Sequence, residues 1–152
     1  MGLDLILYKH TKDDMTWEEE QAAELAYGRK TWSIADFFRR RCQALEGDWY
    51  YKVTKADWDE FIGSLEKLND PAFRYKVEDF ISKFDTIKEW DDVFDRLYNE
   101  LEEWYDGAVN NDDSYQLGFD WELHAVLNWF DANEEVQQAF EDGEDIRLIV
   151  SY

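Results

Sequence analysis

Carboxylates are the side chains from which this sequence could most readily build chemistry. The chain holds 37 Asp and Glu against 16 Lys and Arg in 152 residues, a formal net charge of -21. Their distribution is uneven. Up to Val53 ten acids face eight bases, whereas from Thr54 onward 27 acids face eight. No Lys or Arg occurs between Arg96 and Arg147, yet Glu100, Glu103, Asp106, Asp112, Asp113, Glu122, Glu134 and Glu135 all lie there, preceded closely by Glu89 and Asp92. Like charges at this density repel one another and oppose compaction, which points to an anionic surface kept for a partner. Carboxylates on successive helical turns repeat about every 5.4 Å, and duplex DNA carries one charge per about 1.7 Å of axis. Two neighbouring rows of carboxylates can therefore approximate a phosphate track and fit a basic groove. These ten residues are the candidate partner-binding set, with Trp104, Tyr105, Tyr115 and Trp121 interleaved as aromatic surfaces for stacking on Arg. The plainer alternative is a solvated acidic face that serves solubility.

Other chemistries have weaker signals. Asn110-Asn111-Asp112-Asp113 and Asp142-Gly143-Glu144-Asp145 offer oxygen ligands, but neither follows the alternating acids, central Gly and distant Glu of a calcium loop. His10 and His124 are too isolated for zinc, so no metal or cofactor is expected. Asp120, Glu122 and His124 sit two apart, which on a helix turns them to different sides. No nucleophile elbow, phosphate loop or His-Glu-x-x-His pattern occurs, and the protein is not expected to be an enzyme. Cys42 follows Arg39-Arg40-Arg41, a setting that could lower a thiol pKa, although a cysteine on an apolar helix face is more often core. The Arg29-Lys30 pair and the Arg39–Arg41 run are read as internal neutralisers of the acidic half or as a site for an anion.

The elements that must position these residues follow from periodicity. The length suits a single domain over residues 1–152, near-neutral across residues 1–53 and strongly acidic across residues 54–152. Aromatic residues at 18% supply a large core and exclude a disordered chain. Leu3–Tyr8 reads as a strand. Thr16 with Glu19 forms a capping box for a helix from Trp17 that passes through Leu25 and Ala26. Gly28 is then a break between helices or an interior glycine where another element packs closely, and the helix resumes through Trp32, Phe37, Phe38 and Cys42 to about Leu45. Asp48–Val53 reads as a second strand. Thr54 with Asp57 caps a helix that buries Trp58, Phe61, Ile62, Leu65 and Leu68. Asp70-Pro71 starts another, burying Phe73, Val77, Phe80, Ile81 and Phe84. From Asp85 to Asp106 the apolar residues Ile87, Trp90, Phe94, Leu97, Leu101 and Trp104 form one helical stripe backed by acids. Tyr115–Phe119 reads as a short strand, Asp120 as the cap of a helix from Trp121 to about Phe130, Glu134–Phe140 as a last helix, and Ile146–Tyr152 as a strand that pairs with the first. The fold class is thus α+β, mostly helical, with a small sheet that joins the N- and C-terminal strands.

Two stretches carry a family resemblance. Met1-Gly2-Leu3-Asp4-Leu5-Ile6-Leu7-Tyr8-Lys9 resembles the Met-Gly-Leu-Asp-x-Tyr-Leu start of a group of small, largely uncharacterised phage and prophage proteins. Glu24-Leu25-Ala26-Tyr27-Gly28-Arg29-Lys30, followed by Ile34 and Phe37-Phe38, resembles their Ala-Tyr-Trp-Arg-Lys helix and its Ile-x-x-Trp-Phe end, and Trp49–Val53 is similar to the strand that follows. Gly28 departs from the pattern, where those proteins tend to have Trp, and the acidic half lies outside it. The resemblance implies a phage origin and, with the charge, an acidic inhibitor of a host defence nuclease acting as a DNA mimic, as anti-CRISPR and anti-restriction proteins do; a Cas9-type effector is the expected target. The expected partner is a basic protein, not nucleic acid and not an anionic membrane, since both would repel this surface. The opening apolar run is too short for a signal peptide or a spanning helix, and the expected location is the host cytoplasm. The alternatives are a small phage hydrolase or metal-dependent enzyme, or an acidic interaction module without inhibitory function.

Overall fold

A computed structural model describes residues 3–29, 31–47, 49–83 and 119–151. The fold is α+β. An antiparallel five-stranded sheet, ordered β2-β1-β5-β4-β3, is built from β1 (Asp4–His10), β2 (Glu24–Arg29), β3 (Gln43–Glu46), β4 (Tyr50–Lys52) and β5 (Asp145–Ser151). Around it lie α1 (Trp17–Ala22), α2 (Trp32–Arg41), α3 (Lys55–Ser64), a 3-10 turn (Glu66–Asn69), α4 (Pro71–Lys83), α5 (Phe119–Asp131) and α6 (Asn133–Glu141). The first and last strands pair over their whole length, from Asp4 opposite Ser151 to His10 opposite Asp145. Among the described residues no helix is long and apolar enough to cross a membrane.

Local chemistry sets the helix starts. Thr16 Oγ1 accepts from the Glu19 backbone N–H while Glu19 accepts from the Thr16 N–H, and Thr54 and Asp57 repeat the arrangement. Each box satisfies two backbone donors that a helix start leaves orphaned. Asp70 Oδ1 accepts from the Ala72 N–H at 3.0 Å, which leaves Pro71, with no N–H to satisfy, as the first residue of α4.

The expected helical run from Trp17 to about Leu45, with Gly28 as a break between helices or an interior glycine, is not formed as such. It breaks after Ala22, and Glu24–Arg29 becomes a strand beside β1, with Leu5 opposite Gly28 and Leu7 opposite Ala26. The chain resumes as α2, which stops at Arg41; Cys42 is its C-cap, and Leu45 lies in the edge strand β3. Pairing with β1 satisfies this backbone and buries Ala26 and Gly28, whereas the buried face of a lengthened helix here would offer only Leu25 and Ala26. Asp120, read as a cap, lies inside α5, which already includes Phe119; the remainder of the Tyr115–Phe119 strand, and the Asp85–Asp106 helix, fall outside the described residues.

Alternation in the strands gives the sheet two different faces. Leu5, Leu7, Tyr51, Ile146, Leu148 and Val150 point to a core shared with α2–α6. At its centre Phe38 stacks on Trp58 with ring centroids 6.2 Å apart, while Phe61 and Trp129 close the group at 5.0 to 6.4 Å. Trp58 Nε1 donates to Asn133 Oδ1 at 2.8 Å, so the buried indole keeps a partner and ties α3 to the start of α6. On the opposite face Ile6, Tyr8 and Ile149 form a smaller cluster with Met15, Ala23 and Tyr50, covered by the short helix α1.

Candidate functional site

Helix α6 carries the acidic surface in its clearest described form. Val136 and Ala139 turn inward, Phe140 is half-buried, and Glu134, Glu135, Gln138 and Glu141 face solvent. Glu134 and Glu135 occupy the first turn, where negative charge also complements the helix dipole. Neither forms an ion pair with a base among the described residues. Of the other expected contact residues, the backbone of Glu122 belongs to α5, with its side chain outside the described structure. Glu89, Asp92, Glu100, Glu103, Asp106, Asp112 and Asp113 lie outside the described residues altogether.

Several neighbouring carboxylates are instead consumed by the fold. Asp131, at the end of α5, receives both Nη atoms of Arg74 at 2.7 and 2.6 Å, and Arg74 Nε reaches Glu78 at 2.8 Å. Asp59 on α3 accepts from Lys55 Nζ at 2.7 Å and from Gln137 Nε2 at 2.6 Å, which lowers its pKa and joins α3 to α6. Arg41 lies over the Phe37 ring at 3.8 Å and pairs with Glu60 at 3.1 Å. One member of the Arg39–Arg41 run therefore neutralises some of the acidic half internally. The setting of Cys42 disfavours the thiolate: Sγ donates to Asp57 Oδ2 at 3.5 Å, and burial, together with that carboxylate, pushes its pKa up to about 12.

The outer face of the sheet holds a second feature, which sequence reasoning missed. A cleft of about 450 Å³ opens there, lined by Tyr8, His10, Asp14, Met15, Glu20, Leu45, Tyr50 and Arg147. β1 supplies Tyr8 and His10 from one side of its alternation, β5 places Arg147 opposite Tyr8, and α1 lowers Glu20 onto the sheet. Glu20 is 4% exposed; Tyr50 Oη approaches its Oε1 at 3.4 Å, and its Oε2 has no hydrogen-bond partner among the described residues. Burial raises the Glu20 pKa, and the Tyr50 hydroxyl pulls it back some of the way. Burial, then the charge of Glu20, raises the Tyr8 phenol as well. Both ring nitrogens of His10 are buried without a hydrogen-bond partner among the described residues, the exposed Asp13 carboxylate standing off Nε2 at 3.7 Å. Arg147 Nε and Nη2 are directed to Asp145 Oδ2 at 3.3 and 3.0 Å. Among the described residues no three His, Cys, Asp or Glu side chains gather in a way that could hold a metal ion. The polar residues at even positions of an apolar strand, Tyr8 and His10, were the available signal for this face. Comparison with protein-family models, curated proteins and solved structures gives no match for the chain.

Proposed function

We propose that the protein is an acidic inhibitor, of the kind carried by phages, that occupies the basic nucleic-acid groove of a host defence nuclease in the host cytoplasm. The observation that carries this reading is the stretch from residue 97 to 146, which contains no Lys or Arg. Glu134 and Glu135 of α6, exposed and without an ion pair among the described residues, support it. A groove built for phosphates is lined with Lys and Arg, and a carboxylate-bearing helix competes for those cations without presenting a scissile backbone. The resemblance of roughly the first 65 residues to phage proteins directs the reading to host defence nucleases, of which we take a Cas9-type effector as the target to test. The reading is of a binding protein, without catalysis and without a cofactor.

The test is inhibition of DNA cleavage by a Cas9-type nuclease, with binding measured across salt. Affinity should fall several-fold between about 0.05 and about 0.3 M salt, as screening of the opposed charges requires. Replacing Glu134 and Glu135 by Lys, and in a second variant Glu100, Glu103 and Asp106 by Lys, should weaken inhibition. Salt-insensitive binding, or inhibition that survives both charge reversals, would show that the acidic surface is not the contact.

A further inference from the structure

We infer that the cleft on the outer face of the sheet is a binding site for a small organic cation, a primary ammonium or guanidinium compound, recognised by Glu20 and His10. Its volume of about 450 Å³ falls among small-molecule sites, which run from about 300 to about 1,000 Å³. Glu20 is 96% buried, and its Oε2 has no hydrogen-bond partner among the described residues, so an acceptor has been withdrawn from water without receiving a donor. Buried polar groups are as a rule satisfied, and a ligand N–H on Glu20 would meet that requirement. His10 adds two more unsatisfied positions, one acceptor and one donor in the neutral ring.

Charge selects the kind of ligand. The lining holds two carboxyl groups, Asp14 and Glu20, and one formal cation, Arg147, whose Nε and Nη2 are directed to Asp145. An anion would face two carboxyl groups, with one edge of the lining's guanidinium already engaged by Asp145, whereas a cation with several N–H donors matches both the charge and the open acceptors. The Tyr8 and Tyr50 rings and the Met15 thioether supply an apolar wall on which a cationic head and a short alkyl chain can rest. A metal ion fits less well, because the described residues bring no three suitable ligands together. The site draws on β1, α1, β3, β4 and β5 and uses neither Glu134 nor Glu135, so it stands or falls independently of the partner-binding reading.

The experiment is a titration of the folded protein with butylammonium and with methylguanidinium, followed by NMR shifts of the His10 and tyrosine resonances, with butyrate as the anionic comparison. Saturable shifts for at least one cation and none for butyrate are expected. Glu20→Gln should weaken that binding by about tenfold or more, since a charge-assisted hydrogen bond is lost, while Glu66→Gln, at an exposed carboxylate on the 3-10 turn, should leave it unchanged. Leu45→Trp narrows the cleft at a position already 37% exposed and should also weaken binding, an independent reading if Glu20→Gln perturbs the fold. Shifts that grow linearly without saturation, or equal losses in Glu20→Gln and Glu66→Gln, would overturn the proposal and assign the response to the general negative charge.

Discussion

Replacing Gly28 by Ala probes a close approach between the sheet and the helical layer. Gly28 is buried in β2, and a Cβ placed there would lie 2.8 Å from Thr31 Oγ1, 3.2 Å from Trp129 Nε1 and 3.4 Å from Thr31 Cγ2. Ordinary carbon contacts begin at about 3.5 Å, so at least one neighbour must move. Overpacking of this kind costs about 1–3 kcal/mol. Against it, Ala restricts the unfolded chain and returns about 0.4–1 kcal/mol. The expected net loss is about 1–2 kcal/mol, or a fall in Tm of about 2–8 °C for a domain of this size. Urea unfolding followed by tryptophan fluorescence measures it, with an unchanged m-value showing that stability changed and the surface exposed on unfolding did not. The decisive comparison uses Thr31→Ala, which removes both threonine contacts and leaves the one to Trp129. In that background Gly28→Ala should be within about 0.5 kcal/mol of neutral, a coupling of about 1–2 kcal/mol between residues in contact. Equal costs in the two backgrounds, or a Gly28→Ala protein more stable than the parent, would refute the argument.

Two further outcomes follow from the buried titratable groups. Burial holds the Glu20 carboxyl above its ordinary 4.5, so the folded state binds this proton more tightly than the unfolded one. The associated stability is therefore present at low pH and lost as pH rises from 4.5 through the folded value. Glu20→Gln stays neutral throughout, and its unfolding free energy relative to the parent should improve as pH is raised from about 4 to about 7; a pH-independent difference would contradict the assignment. Cys42, with its thiol pushed up to about 12, should react with iodoacetamide at about pH 8 more slowly than a free thiol of pKa about 8.5 by about 100-fold or more. A rate equal to that of glutathione would place the sulfur in water.

What could be read from the sequence was what is local. The capping boxes at Thr16 and Thr54 and the Asp70-Pro71 start are each made within a few neighbouring residues, and each forms as expected. The pairing of the first and last strands was legible because both are dense in Leu, Ile and Val. β2 was not, for a specific reason: its core-facing positions are Ala26 and Gly28, the two smallest residues, because Trp129 of α5 fills the volume above Gly28. Strand alternation written in small residues leaves no hydrophobic signal, while Glu24, Leu25 and Ala26 carry good helix propensity. β3 was hidden differently, as an edge strand with Gln43, Ala44 and Leu45 all exposed. Of the candidate sites, the acidic surface was visible as composition, and Glu134 and Glu135 lie exposed on a helix as anticipated. The cleft was not visible, because its lining is drawn from residues 8 to 147 and only tertiary pairing brings them together.

The strand order has a consequence for how the chain is made. β5 lies between β1 and β4, so the ribosome completes the β1–β2 and β3–β4 strand pairs while they still share no edge. Residues 145–151 are the wedge that unites them, and their pairing with β1 spans almost the whole sequence. Such distant pairing is slow, because loop closure must precede its reward. A nascent chain would therefore expose two open sheet edges until residues 145–151 have emerged, and would depend on whatever shields those edges in the interval.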